Sequence, residues 1–74
     1  MALVNKMEQL TLEKESKHSE VQCTYSIVIG DDGSKCLQID TYGSNTRKYK
    51  GKKSQSIRLS PQAIVQLKQI LSKI

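Results

Sequence analysis

The stretch VQCTYSIVI, residues 21–29, alternates with period two. Val21, Cys23, Tyr25, Ile27 and Ile29 fall on one side, and Gln22, Thr24 and Ser26 on the other. Only Val28 breaks the outward polarity. A helix would scatter this apolar set around its circumference, so the pattern demands a half-buried strand. The turn sequence GDDGS follows. KCLQIDTYG then alternates again, with Leu37, Ile39 and Thr41 on one side and Cys36, Gln38, Asp40 and Tyr42 on the other. Both core-facing sets are odd-numbered. Partners across a hairpin share a face, so their numbers must sum to an even number. A two-residue loop, Asp32-Gly33, would mix the faces. A three-residue loop, Asp31-Asp32-Gly33, keeps them matched, with a type I turn followed by a left-handed residue at Gly33. This register sets Cys36 opposite Val28 and Cys23 opposite Thr41. The two cysteines then point to opposite faces, no disulfide joins them, and both read as small packing residues.

The C-terminal third adds one more strand and one helix. In SQSIRLS, Ile57 and Leu59 face one way while Ser56 and Arg58 face the other. SPQAIVQLKQILSKI then starts with Ser60 as an N-cap and Pro61 at the first helical position, where no donor is needed. Ile64, Leu67, Ile70, Leu71 and Ile74 recur at helical spacing, Val65 widens the stripe, and Leu59 can staple onto Ile64. The expected fold is α+β: a small antiparallel sheet of three to four strands followed by one C-terminal amphipathic helix. The helix is expected to cover the odd-numbered face, with Tyr25 in the core. Residues 1–19 form an N-terminal arm, disordered or docked on the core or another subunit, and residues 20–74 form the domain. A chain of 74 residues buries a modest core, so a homodimer is expected, with Val28 and Val65 as candidate contacts.

Charge is distributed unevenly. Residues 1–20 carry a net −1, residues 21–74 a net +6, and no acidic side chain follows Asp40. The last 34 residues hold eight positive charges, five of them in TRKYKGKK, residues 46–53. Solvated surfaces ordinarily mix both signs, so a one-signed tract points to a polyanionic partner such as nucleic acid. Arg47, Lys48, Lys50, Lys52 and Lys53 would neutralise phosphates, and Gly51 would let the segment follow the strand. Tyr42, Tyr49 and Arg58 would stack on bases or bond to them, beside an outward face of Gln22, Thr24, Ser26, Gln38, Ser54 and Ser56. Cations along a backbone and stacking groups beside it are what a single strand needs.

Catalytic chemistry is poorly supplied. His18 is the only imidazole and lies in the arm, where it reads as a surface residue. Asp31 and Asp32 sit in a common turn without an EF-hand pattern. Asp40 is expected to pair with Arg58 or a lysine, not to act as a base. GKKS lacks the upstream glycine and following helix of a phosphate loop. No enzyme, cofactor or metal is expected. The short, early-charged N-terminus and the lack of a long apolar run argue against a secretory signal and a membrane span. An intracellular location, in cytoplasm, nucleoid or nucleus, with reduced thiols is the expectation.

LQIDTY, KGKK and SIRLSPQAIVQLKQIL together resemble the positive cofactor four family of single-stranded-DNA-binding transcriptional coactivators, over roughly Thr24 to Ile74. Ile39-Asp40, Gly51-Lys52-Lys53, Ile57, Leu59, Ser60-Pro61 and Leu67-Lys68 fall at the family's motif positions. The chain departs from the family at Lys50, which stands where the family has proline. About Ser54-Gln55 two residues are inserted, the aromatic end of the second strand is reduced to Tyr42-Gly43, and the helix has no tryptophan. The resemblance implies a homodimer built through helices and sheets. It also implies a concave sheet surface for melted DNA, used in transcription, replication or recombination. Single-stranded DNA is thus the expected partner, with RNA the other candidate strand. The competing expectation is a protein-binding adaptor or inhibitor that docks the same basic segment on an acidic surface, or that pairs through an exposed strand edge.

Overall fold

The computed structural model describes residues 1–12, 14, 16–18, 20–43 and 53–74. Four strands and a helix follow in chain order: β1 (Ala2–Val4), β2 (Cys23–Ile29), β3 (Lys35–Tyr42), β4 (Lys53–Leu59) and α1 (Pro61–Leu71). They form one sheet in the order β1-β4-β3-β2, with the helix after it. The fold is therefore α+β, as the alternation required.

The β2–β3 hairpin has the register that parity demanded. Cys23 lies opposite Thr41, Val28 opposite Cys36, and Ile29 opposite Lys35. The turn closes with the Gly33 N–H donating to the Gly30 carbonyl (3.0 Å) and the Gly30 N–H to the Ser34 carbonyl (2.7 Å). Asp32 Oδ1 accepts from the Ser34 N–H (3.0 Å) and its hydroxyl (2.6 Å). Gly33 has φ of 82°, the one positive φ among the described residues. A Cβ there would meet no atom within 4 Å, so the cost of a side chain is conformational. Gly33→Ala is expected to lower stability by about 1 kcal/mol, seen as a lower urea midpoint at unchanged slope. Both cysteines are free, Cys23 exposed and Cys36 buried, and the register sets them on opposite faces.

Strands β3 and β4 pair antiparallel, Leu37 with Leu59 and Ile39 with Ile57, so apolar meets apolar. A bulge between Thr41 and Tyr42 shifts the ladder, setting Thr41 against Gln55 but Tyr42 against Lys53. Ser54 is the extra residue, and Lys53 is thereby turned onto the face of Tyr42. The sheet is not wholly antiparallel. β1 adds in parallel to β4, with Ala2 opposite Ile57 and Val4 opposite Leu59. No hairpin joins β1 to β4: forty-eight residues separate them, so nothing forces the antiparallel sense. The chain leaving β1 docks on the helix, where Met7 N–H and C=O each bond the Gln66 side-chain amide at 2.8 Å.

The helix starts as the sequence dictates. Ser60 has extended backbone, its hydroxyl accepts from the Ala63 N–H (3.3 Å), and Pro61 follows. Lys68 lies in the last turn, where a cation suits the carboxyl end of the helix dipole. The helix packs on β3 and β4. The odd-numbered apolar side chains there are the better covered: Leu59 is 4% exposed, and Leu37 and Ile39 are half-buried. Those of β2 are not. Tyr25 is 74% exposed, Ile27 63% and Ile29 59%. The expectation that the helix covers the whole odd face, with Tyr25 in the core, is corrected here. A helix about 10 Å wide spans roughly two strands spaced 4.8 Å apart, and β2 is the third across. No described helix is long and apolar enough to cross a membrane.

Candidate nucleic-acid interface

The other face of the sheet is polar, and its groups are wired together. Arg58 on β4 lies directly opposite Gln38 on β3. Its guanidinium donates to Gln38 Oε1 from Nε (3.2 Å) and Nη2 (2.6 Å). Gln38 Nε2 in turn donates to both carboxylate oxygens of Asp40, at 3.1 and 3.2 Å. Residues two apart on a strand share a face, and that spacing brings amide and carboxylate together. From β4, the Ser56 hydroxyl donates to Asp40 Oδ1, and Lys53 Nζ lies 3.3 Å from Oδ2. At the far end of β2, Thr24 Oγ1 and the Tyr42 hydroxyl share a hydrogen bond of 3.0 Å.

Gln38 and Asp40 are buried, 7% and 3% exposed, though they stand on the polar face. Their cover includes the side chains that bond them. No buried side-chain polar atom among the described residues lacks a partner. A polar network of this kind rigidifies what it holds. What it holds is Arg58. Two of that side chain's five N–H donors are engaged by Gln38, which fixes the planar group on the polar face, and among the described residues the other donors bond no further side chain.

The hydrogen bond from Ser56, aided by Gln38 and Lys53, keeps the Asp40 carboxyl below its ordinary value, against the opposing effect of desolvation. Ser34 does the same for Asp32. A carboxylate whose folded value is depressed contributes stability that is complete above its unfolded value, near 4, and lost as pH falls through the folded value. The protein is therefore expected to lose stability below about pH 4, and Asp40→Asn to remove Asp40's share of that loss. Urea midpoints from pH 3 to pH 7 for both proteins measure it. Removing Arg58 has a different effect: Arg58→Ala strips buried Gln38 Oε1 of both donors. The expected cost is about 1–3 kcal/mol, with less for Arg58→Lys, which restores one bond.

Of the expected site residues, Tyr42, Lys53 and Arg58 stand on this one face. Arg47, Lys48, Tyr49, Lys50, Gly51 and Lys52 lie outside the described residues. Asp40 takes a lysine, Lys53, as the sequence allowed, but Arg58 goes to Gln38. The hub that sequence reasoning missed is the Gln38–Asp40 pair. Its signal was there, as two hydrogen-bonding residues at i and i+2 on the central strand, but nothing in a sequence tells a bonded pair from two solvated ones. His18, in the arm, bonds only the Ser16 carbonyl, at 2.7 Å, among the described residues. No cluster of three metal-ligating side chains exists among them either. Comparison with protein-family models, with curated proteins and with solved structures finds no match to this chain.

Proposed function

We propose that the polar face of the sheet, together with the basic sequence of residues 46–53, binds single-stranded nucleic acid. The protein would act without catalysis, as a homodimeric accessory factor on melted DNA in transcription or replication. One observation carries the reading. The segment that holds five cations leaves the sheet at Tyr42 and returns at Lys53, and both ends stand on the face of the Arg58–Gln38–Asp40 network. The only carboxylate of that network is already bonded by Ser56, Gln38 and Lys53, which lessens its repulsion of a phosphate. Arg47, Lys48, Lys50, Lys52 and Lys53 track the backbone, Gly51 lets the segment bend along it, and Tyr42, Tyr49 and Arg58 take the bases.

Amide-resolved NMR during titration with an oligothymidine tests the face. Shifts at Gln38, Tyr42, Lys53 and Arg58, with Ile27 and Ile29 unmoved, are expected; shifts confined to the opposite face would refute the assignment. The adaptor reading is separated by a pull-down with and without nuclease, because a partner kept after nuclease treatment is a protein.

A further inference from the structure

Strand β2 is an outer strand of the sheet, and its sequence, CTYSIVI, contains no charge and no proline. Sheet edges are ordinarily blunted by charge, proline, bulges or shortness. The opposite edge obeys that rule, since β1 has three residues. The β2 edge has seven and none of these devices.

The hydrogen-bond pattern shows what this edge offers. Gln22 accepts from the Tyr42 N–H and Gly30 donates to the Ser34 carbonyl. In an antiparallel ladder, alternate residues turn their backbone groups to the same neighbour. The even-numbered residues of β2 therefore face β3, and the N–H and C=O groups of Cys23, Tyr25, Ile27 and Ile29 face outward. Three of these four also carry the bare apolar side chains Tyr25, Ile27 and Ile29. Among the described residues, backbone without a strand partner and uncovered apolar surface thus coincide on the same positions.

We propose that β2 pairs antiparallel with β2 of a second copy, about a two-fold axis at Ser26, joining the two sheets into one of eight strands. This deepens the homodimer part of the reading above. In this register Tyr25 meets the partner copy's Ile27, and Cys23 its Ile29. Odd residues meet odd, so apolar side chains share one face and every outward N–H finds a carbonyl. A second copy is the occupant that fits, for three reasons. The strand is self-complementary about its own centre. It is also a seven-residue uncharged surface on a chain of net charge +5, so two copies meet there with no like charges opposed. Finally, the lone protomer is short of core. Among the described residues only Cys36, Leu59 and Ala63 are buried apolar side chains.

Three proteins test the proposal, without nucleic acid. Sedimentation equilibrium of the natural chain should give twice the 8.3 kDa of one chain. Ile27→Lys should give a single chain, its fold checked by circular dichroism; Ile27 is already exposed, so the protomer accepts the change. In a Cys23→Ser background, Ser26→Cys should form a covalent dimer on mild oxidation with diamide. The two Ser26 residues form a non-hydrogen-bonded pair, with Cα atoms about 4.5 Å apart, within disulfide reach. Thr24→Cys in the same background should not cross-link. A dimeric mass that survives Ile27→Lys, with no cross-link through Ser26→Cys, overturns the strand pairing and leaves a homodimer by another surface. A natural chain that stays monomeric overturns both. Neither result touches the nucleic-acid reading, which is measured separately.

Discussion

Leu59→Ala is expected to lower stability by about 2–5 kcal/mol, or to leave the chain unfolded at room temperature. Leu59 ends β4 with only 4% of its surface exposed. It lies opposite Leu37 on one side and Val4 on the other, and the next residue is the helix cap. One side chain thus ties three strands to the start of the helix. Truncation leaves a cavity at that junction that no single element can close. A small domain has only about 5 kcal/mol or somewhat more to lose, so the thermal midpoint should fall by roughly 10–30 °C. Ile27→Ala is the control. It deletes similar atoms at a site 63% exposed in the protomer, so the dilute protomer should shift by under about 1 kcal/mol. Thermal melts of both variants, monitored by circular dichroism, make the comparison. Equal losses would mean that the junction at Leu59 is not the core.

Replacing Arg47, Lys48, Lys50, Lys52 and Lys53 together by alanine is expected to weaken binding to single strands of any sequence. If each cation neutralises one phosphate, the log–log slope of affinity against salt should flatten by roughly 3.5. At 0.1 M salt that corresponds to a loss on the order of a thousandfold. A uniform loss across sequences is the signature of backbone contacts, because phosphates carry no sequence information. Arg58→Ala should behave differently, reducing affinity with little change in slope for a residue that meets bases. Lys53 has a second role, as an ion pair with Asp40. A four-fold variant that keeps Lys53 separates phosphate binding from that support, and should lose most of the slope. An unchanged slope in the five-fold variant would remove the segment from the site.

What the sequence made legible was what local geometry decides. Alternation in residues 21–29 and 35–42, with Gly33 able to take a positive φ, leaves one hairpin register. Ser60-Pro61 allows one helix start. What it hid was decided by reach and by partner choice. Three residues, Ala2–Val4, are too few to show a period, so the parallel strand β1 had no signal. The helix is too narrow to reach β2, which depends on the width of the sheet and left Tyr25 exposed instead of buried. On the polar face, parity placed Gln38, Ser56 and Arg58 correctly. The bulge that turns Lys53 toward Asp40 was not readable, nor was the choice of Gln38 by Arg58. Both depend on side-chain lengths across strands, which period two does not encode.

The most direct measurement is fluorescence anisotropy of a labelled single-stranded oligonucleotide, and of its duplex, titrated with the natural chain at low and moderate salt. Tighter binding of the single strand, weakened as salt rises, is the expected result. It would make the polar face, with the basic sequence that follows β3, a site for melted nucleic acid. No binding of either at low salt would contradict that function and turn the search to a protein partner for the same basic segment.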